Sequence, residues 1–576
     1  MIKEVLLLFK THLDIGFTDY AENVKKMYLE KYIPNAIEVG YELKNTDTPF
    51  IWTVGSWLVN EGLKRDDGTL ENAINDGIIA WHGFPFTTHT ELMSKELFEY
   101  GLSISEKLDK RFNKRTLGAK MTDVPGHTLG MVPLMCKHGI EFMHIGGNQA
   151  TPRPEVPGVF KWKCGDYSVN VIHQKGYGSE IEFDDFAVVF GHTRDNQGAQ
   201  TAGEVVRLYD KLHKKYPDAV IKAATLNDVA VKLRSLKNLP VLEKEVGDTW
   251  IHGGGTDPKK LGMYRELLRY IKENGVGDAD LSDNLLLVPE HTWGMDVKTY
   301  FHNARAWLDE DFKKTEGTSD RVTIEKSWQE QRNYVKEAEE VLGVKTDYTP
   351  SEPKLDGYKR IGISEPEFEV SWQLYDTKDY TRYLNKYTTL TCDNIEWASW
   401  DQLKIGLPVY EGGVYAAAVT EAYESDEKRL YKLEFDSDIT EKYGLPYIWA
   451  EQRGESLEII WFGKRASRLP QAFWLKLKNM HEDWEMSKMG QWIKPKDVIG
   501  SPLISAVDIG VRNDSFVVEC LDSALVAPFG RRLLDYDLSP EGQDMYFNLY
   551  NNIWNTNFPM WYSDDTRFRF VIKSRK

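Results

Sequence analysis

A series of short apolar runs, alternating with longer amphipathic stretches, constrains this chain most. The runs are Val5–Phe9, Phe50–Val54, Ile78–Trp81, Leu117–Thr122, Ile140–Ile145, Ser168–His173, Ala187–Phe190 and Val220–Thr225. Between them lie segments with helical spacing, including Tyr20–Leu43, Glu96–Phe112 and Thr201–Lys215. Strands that alternate with helices predict βαβ units and a parallel sheet. With about eight runs, a closed barrel and an open sheet are both compatible with the pattern. In either case the ligand site belongs at the carboxyl ends of the strands.

The polar residues gather at those ends. Val5–Phe9 stops in His12 and Asp14, and Leu117–Thr122 runs into Asp123, a Pro-Gly turn and His127. Ala187–Phe190 leads to Asp195 in a loop before the next helix. Further on, "WIHGGGTDP" sets His252 in a glycine-rich stretch. Two histidines and two aspartates are a sound ligand set for zinc without any cysteine. Each residue also has a plainer reading. Asp14 could cap a helix, Asp123 could be a turn aspartate, and His252 could close a loop. For the proton donor, Glu180, Asp184 and Asp185 compete with Asp195.

At 576 residues the chain predicts two to four domains. The texture changes near Asp257-Pro258, a good helix start. Helical spacing follows, notably over Trp328–Leu342, and then the proline-rich linker Asp347–Tyr358. Short alternating runs beyond it predict antiparallel β structure, a sandwich. The expected domains are 1–248 (α/β), 249–346 (a helical bundle completing the active site) and 351–576 (β).

A net charge of −17 argues against nucleic acid or an anionic membrane as partner. The four cysteines, Cys136, Cys164, Cys392 and Cys520, are scattered and suit reduced thiols. With no signal-like or membrane-spanning run, a cytoplasmic protein is expected. A homo-oligomer is left open.

"HLDIGF", "TDVPGHT", "FGHTRDNQGAQT" and "WIHGGGTDP" resemble, in the same order, the signature regions of the glycoside hydrolase family 38 α-mannosidases. The motifs cover about the first half of the chain, and "YNNIWNTNFPMWY" is loosely similar to a late stretch of bacterial members. The resemblance implies a (β/α)7 barrel, a helical bundle and C-terminal β domains. It also implies zinc-dependent, retaining hydrolysis of α-mannosides, with one zinc per chain gripping the sugar's 2- and 3-hydroxyls. By the same resemblance, His12, Asp14, Asp123 and His252 become the zinc ligands, Asp123 also the nucleophile, and Asp195 the acid/base. Phe17 stands where the family usually has a tryptophan under the sugar. His127, Trp81 and Trp293 are candidate substrate contacts, although a large core uses such rings equally.

There are departures. The family usually has Asp-Pro-Phe-Gly-His at the nucleophile, and glycines where this chain has Asn196-Gln197. "HGFPFTTHTEL", His82–Leu92, has no counterpart in the family. Two other classes fit the same ligands: a zinc-dependent carbohydrate deacetylase, and a non-catalytic carbohydrate-binding relative.

Overall fold

A computed structural model describes the chain except residues 66, 149–150, 152–153, 276–280, 304, 347, 377, 380–406, 482, 501–503, 529, 532, 534–543, 554–555 and 576. Cys392 and part of the "YNNIWNTNFPMWY" stretch therefore lie outside the described residues. The chain divides into two compact units. The first comprises Met1–Thr90, Lys95–Val246 and Pro289–Thr292; the second comprises Glu91–Ser94, Gly247–Val288 and Trp293–Lys576.

Eight strands of the first unit overlap the eight apolar runs, and three more, Val159–Cys164, Ile181–Glu182 and Val241–Leu242, lie outside them. They are β1 (Glu4–His12), β2 (Trp52–Gly55), β3 (Ile79–His82), β4 (Gly118–Asp123), β5 (Phe142–Gly147), β6 (Val159–Cys164), β7 (Tyr167–Lys175), β8 (Ile181–Glu182), β9 (Phe186–Asp195), β10 (Val220–Ala223) and β11 (Val241–Leu242). One sheet has the order β3-β2-β1-β9-β8, with β10 also paired to β1, and a second has the order β11-β6-β7-β5-β4.

A closed (β/α)7 barrel does not form among the described residues. Two hairpins account for this: β6 runs antiparallel to β7, and β8 antiparallel to β9. β8 lies at the edge of its sheet, and β6 sits between β7 and β11. Between β3 and β4 a single backbone bond, from Gly83 N–H to Gly118 O (3.0 Å), replaces a ladder.

The core of this unit follows from strand alternation. Leu6 and Leu8 of β1 join Val188 and Phe190 of β9, Phe142, Ile172, Leu226, Val229 and Leu233 in one buried cluster. Phe9 instead packs on Phe50, with ring centroids 5.0 Å apart. Burial of this kind, at about 25 cal/mol per Å² of apolar surface, holds the strand ends in place.

The second unit combines helices with antiparallel sheets. Helix Pro258–Asn274 starts as its sequence predicts: Asp257 accepts from Lys260 N–H at 3.1 Å and proline takes the first turn. Helix Ser319–Leu342 ends at Gly343, whose φ of 65° is left-handed. A ten-stranded sheet and a six-stranded sheet follow, with antiparallel pairing such as Phe368–Leu374 against Gln471–His481. A buried ion pair between Glu91 and Lys488 lies within this unit. Among the described residues, no helix is long and apolar enough to cross a membrane.

Candidate metal centre and acid pair

Register brings the polar strand ends together. β1 and β9 run in parallel through Lys10 opposite His192, then a bulge sets His12 opposite Asp195. On the other sheet Asp123 pairs with Gly147, and Gly147 with Lys175. Asn148 and Tyr177 therefore emerge just beyond the ends of β5 and β7.

His12, Asp14, Asp123 and His291 form one buried group whose ligand atoms all lie within 4.8 Å of one another. His12 Nε2 is 3.1 Å from His291 Nε2 and 3.1 Å from Asp14 Oδ1. His291 Nε2 is 3.0 Å from Asp14 Oδ1. Asp123 Oδ2 sits 3.8 Å from His12 Nε2 and 3.7 Å from His291 Nε2. A tetrahedral zinc with bonds of about 2.0–2.1 Å would space its ligands by about 3.3 Å.

The other ring nitrogens are engaged behind the group. His291 Nδ1 meets Glu290 Oε1 at 2.6 Å, and His12 Nδ1 meets Thr122 Oγ1 at 2.8 Å. If both Nδ1 atoms carry their protons, both Nε2 lone pairs point at the two carboxylates, and four acceptors converge. Asp14 Oδ2 is also buried and accepts no hydrogen bond. The donor set therefore fits a divalent cation of the zinc type. Burial would lower the His291 pKa, but Glu290 and Asp14 raise it well above its ordinary value. Burial likewise would raise Asp14, but the rings of His12 and His291 hold its carboxyl well below the usual carboxylate range. Proton and cation thus compete for the same place.

Asp123 faces two ways. Its Oδ2 points to the group above, while its Oδ1 accepts from Asn148 Nδ2 (2.7 Å) and lies 3.0 Å from Tyr177 Oη. Its backbone is left-handed, with φ of 85°, which aspartate adopts only under constraint. The same Tyr177 Oη is 2.6 Å from Asp195 Oδ1. A phenol has one proton and can serve only one carboxylate fully, so a proton on Asp195 completes the chain. Burial, with the negative charges of Asp14 and Asp123, pushes the Asp195 pKa up to about 6. Burial and the same carboxylates raise Tyr177 well above its ordinary value, which keeps the phenol protonated.

The fourth member of the group is His291; His252, expected as a ligand, is not a member of it. His252 lies in the second unit, buried in the turn Ile251–Thr256, where its carbonyl accepts from Asn551 Nδ2 at 2.9 Å. The adjacent glycines serve packing. A Cβ on Gly253 would meet the Phe558 ring at 2.4 Å, and one on Gly255 would meet Asn551 Nδ2 at 2.6 Å.

The unmatched stretch His82–Leu92 acquires a role up to Thr90: it cradles the His291 segment. His89 N–H and Thr88 Oγ1 both donate to Pro289 O, at 2.9 and 2.6 Å, and His291 N–H donates to Thr87 O at 3.3 Å. Thr87 Oγ1 also accepts from Thr122 N–H at 3.3 Å, tying the cradle to β4.

Of the expected substrate contacts, Phe17 is half-buried with φ of 62°, three residues after Asp14. His127 is fully buried; its N–H donates to Val246 O at 2.6 Å and its Nδ1 lies 3.3 Å from Thr90 Oγ1. Trp81 is buried against Phe112 and donates to Asp109. Trp293 is buried against Phe558 and beneath Lys260. Both rings are buried in the core. Among the rival donors, Glu180 is taken by Lys215 and Tyr216, while Asp184 and Asp185 are exposed. Sequence reasoning missed Glu290-His291 and Tyr177. An acid–histidine pair one proline beyond the apolar run Leu285–Val288 was the available signal for the first, and Tyr177 carried none.

Comparison with known proteins bears on the fold. A family model described as a domain of unknown function (DUF5054) matches residues 254–365. No curated protein matches the chain. An α-mannosidase from Enterococcus faecalis V583 superposes with a TM-score of 0.59 at 9% identity, covering 100% of this chain and 87% of its own. A protein in glycosyl hydrolase family 38 from Enterococcus faecalis gives 0.55 at 8% identity, covering 100% and 86%. The fold is shared with both. At such identities the likeness speaks for architecture, and the chemistry must be argued from the residues.

Proposed function

We propose that this protein is a metal-dependent, retaining glycoside hydrolase acting on α-linked sugars, with α-mannosides as the first class to test. One observation carries the reading: Asp123 and Asp195 share the hydroxyl of Tyr177 beside a buried four-ligand group. Two carboxyl oxygens joined through one hydroxyl lie no further apart than the span of two hydrogen bonds, about 6 Å. So short a span favours double displacement over inversion, which needs about 6.5–9.5 Å to admit a water.

In this reading Asp123 is the nucleophile, kept in place by Asn148 and by its strained strand end. Asp195 protonates the leaving oxygen and afterwards takes a proton from the incoming water. Tyr177 links the two and aligns both. His12, Asp14, Asp123 and His291 would hold one zinc ion, which when bound would grip sugar hydroxyls and favour the ionised nucleophile. Phe17 would stack beneath the sugar. The α-mannosidase from Enterococcus faecalis with the shared fold supports the choice of glycone.

A panel of aryl α-glycosides, assayed with zinc and after chelation, tests the proposal. Turnover of one member with an α-configured first product, followed by NMR, is expected. A β-configured product overturns the retaining mechanism, and release of acetate from acetylated sugars without glycosidase activity points to a deacetylase.

A further inference from the structure

The residue after the candidate acid is where this chain departs from the glycine-rich loop of the family it resembles, and its contacts are unusually complete. Asn196 is buried with φ of 51°. Its Oδ1 accepts from Asp14 N–H at 3.0 Å. Its Nδ2 is directed at Asp14 O (3.0 Å), Gly16 O (3.2 Å) and Thr18 Oγ1 (2.9 Å). Its own N–H donates to His12 O at 3.1 Å, and its carbonyl accepts from Tyr32 Oη at 2.8 Å.

The loop it grips needs such a hold. Beyond His12 the chain leaves the ladder, and two successive residues, Gly16 (φ 128°) and Phe17 (φ 62°), are left-handed. One side-chain amide reaches that segment at Asp14, Gly16 and Thr18.

We infer that Asn196 is a positioning residue: it clamps the His12–Thr18 loop to the end of β9, and so sets Asp14 and Phe17 relative to Asp195. The inference rests on the reading above, in which Asp14 is a metal ligand and Asp195 the proton donor. Residue chemistry explains why asparagine stands here. Glycine would accept the left-handed backbone but has no amide. Aspartate could still accept from Asp14 N–H, but it could not donate to the loop, and it would add a negative charge beside Asp14 and Asp195. Asparagine tolerates the conformation and both donates and accepts.

Three full-length variants test this: Asn196→Gly, Asn196→Asp, and Gln197→Gly as a control on the same loop. Zinc affinity is measured by calorimetry, exchange of the Asp14 amide by hydrogen–deuterium exchange, and melting in the metal-free state by scanning calorimetry. Both Asn196 variants are expected to bind zinc about 10–100-fold more weakly, the range for residues that orient metal ligands. The Asp14 amide should exchange faster in Asn196→Gly, and kcat should fall, while Gln197→Gly should match the wild type throughout. Should Asn196→Gly fail to fold, the near-isosteric Asn196→Asp decides alone. Wild-type zinc affinity in the folded variants, with or without a lower metal-free melting temperature, overturns the clamp and leaves the ligand reading standing. A wild-type protein that takes up no zinc, indistinguishable from His12→Ala, overturns the ligand reading itself, and the inference falls with it.

Discussion

At the scale of single residues, the two oxygens of Asp123 separate two tasks. One joins the group of His12, Asp14 and His291, and the other is held by Asn148 and Tyr177. Replacing His291 by alanine should remove tight zinc binding in a titration. His252→Ala should leave it unchanged, because His252 is not a member of the group; the reverse result would restore the ligand set expected from sequence. Asp195→Ala should keep zinc but slow substrates with poor leaving groups by about 10²–10⁴-fold. Activated aryl glycosides should suffer less, and azide should speed breakdown of their intermediate. The sign of the pH effect follows from the raised Asp195 pKa. The carboxyl is protonated below about 6 and ionised above it, so kcat/KM for substrates that need protonation should fall as pH rises through that value. A limb that stays flat from pH 5 to 8 on such substrates would remove Asp195 from the role.

Among the elements, the register of β1 against β9 matters most. A bulge between Lys10 and His12 sets a candidate ligand opposite the candidate acid. The helix after β9 is equally well specified: Thr201 and Glu204 form a reciprocal capping box at the start of Ala202–Lys215. That leaves a short loop, Asn196–Gln200, with little freedom. The second critical contact is the docking of Pro289–Thr292 on His82–Thr90. Thr88→Val removes one of the two donors to Pro289 O and should cost about 1 kcal/mol in denaturant unfolding. It should also weaken zinc binding, because His291 rides on that segment. A variant with lower stability but wild-type zinc affinity would mean that His291 is held by its side-chain contacts alone.

On the scale of the whole molecule, the chain leaves the first unit at Val246 and returns to it for Pro289–Thr292 before completing the second. That return delivers His291. An ion held by residues so far apart in sequence binds the folded state and not the unfolded chain, so it must stabilise the fold that contains it. At a free zinc concentration a hundred times Kd the gain is about 2.7 kcal/mol. Scanning calorimetry should show zinc raising a melting transition, chelation reversing the rise, and His291→Ala abolishing it. An unchanged thermogram at saturating zinc would rule out the site.

The sequence by itself located eight strands of the first unit, and hence set His12, Asp14, Asp123 and Asp195 at or beyond strand ends, although β9 runs past Phe190 to Asp195 itself. Apolar periodicity carries that information locally, and a strand that stops in charged residues has few other ways to fold. Tertiary structure decided the rest. Whether the sheet closes depends on the direction of strands such as β6 and β8, and parallel and antiparallel strands have the same periodicity. The fourth member of the metal group depends on which distant segment comes back to the strand ends. His252, in its glycine run, had the stronger local signature, but those glycines answer to Phe558 and Asn551. His291 had almost none, because its place is made by the backbone of Thr87–His89, about two hundred residues earlier in a chain whose long-range contacts no local pattern records.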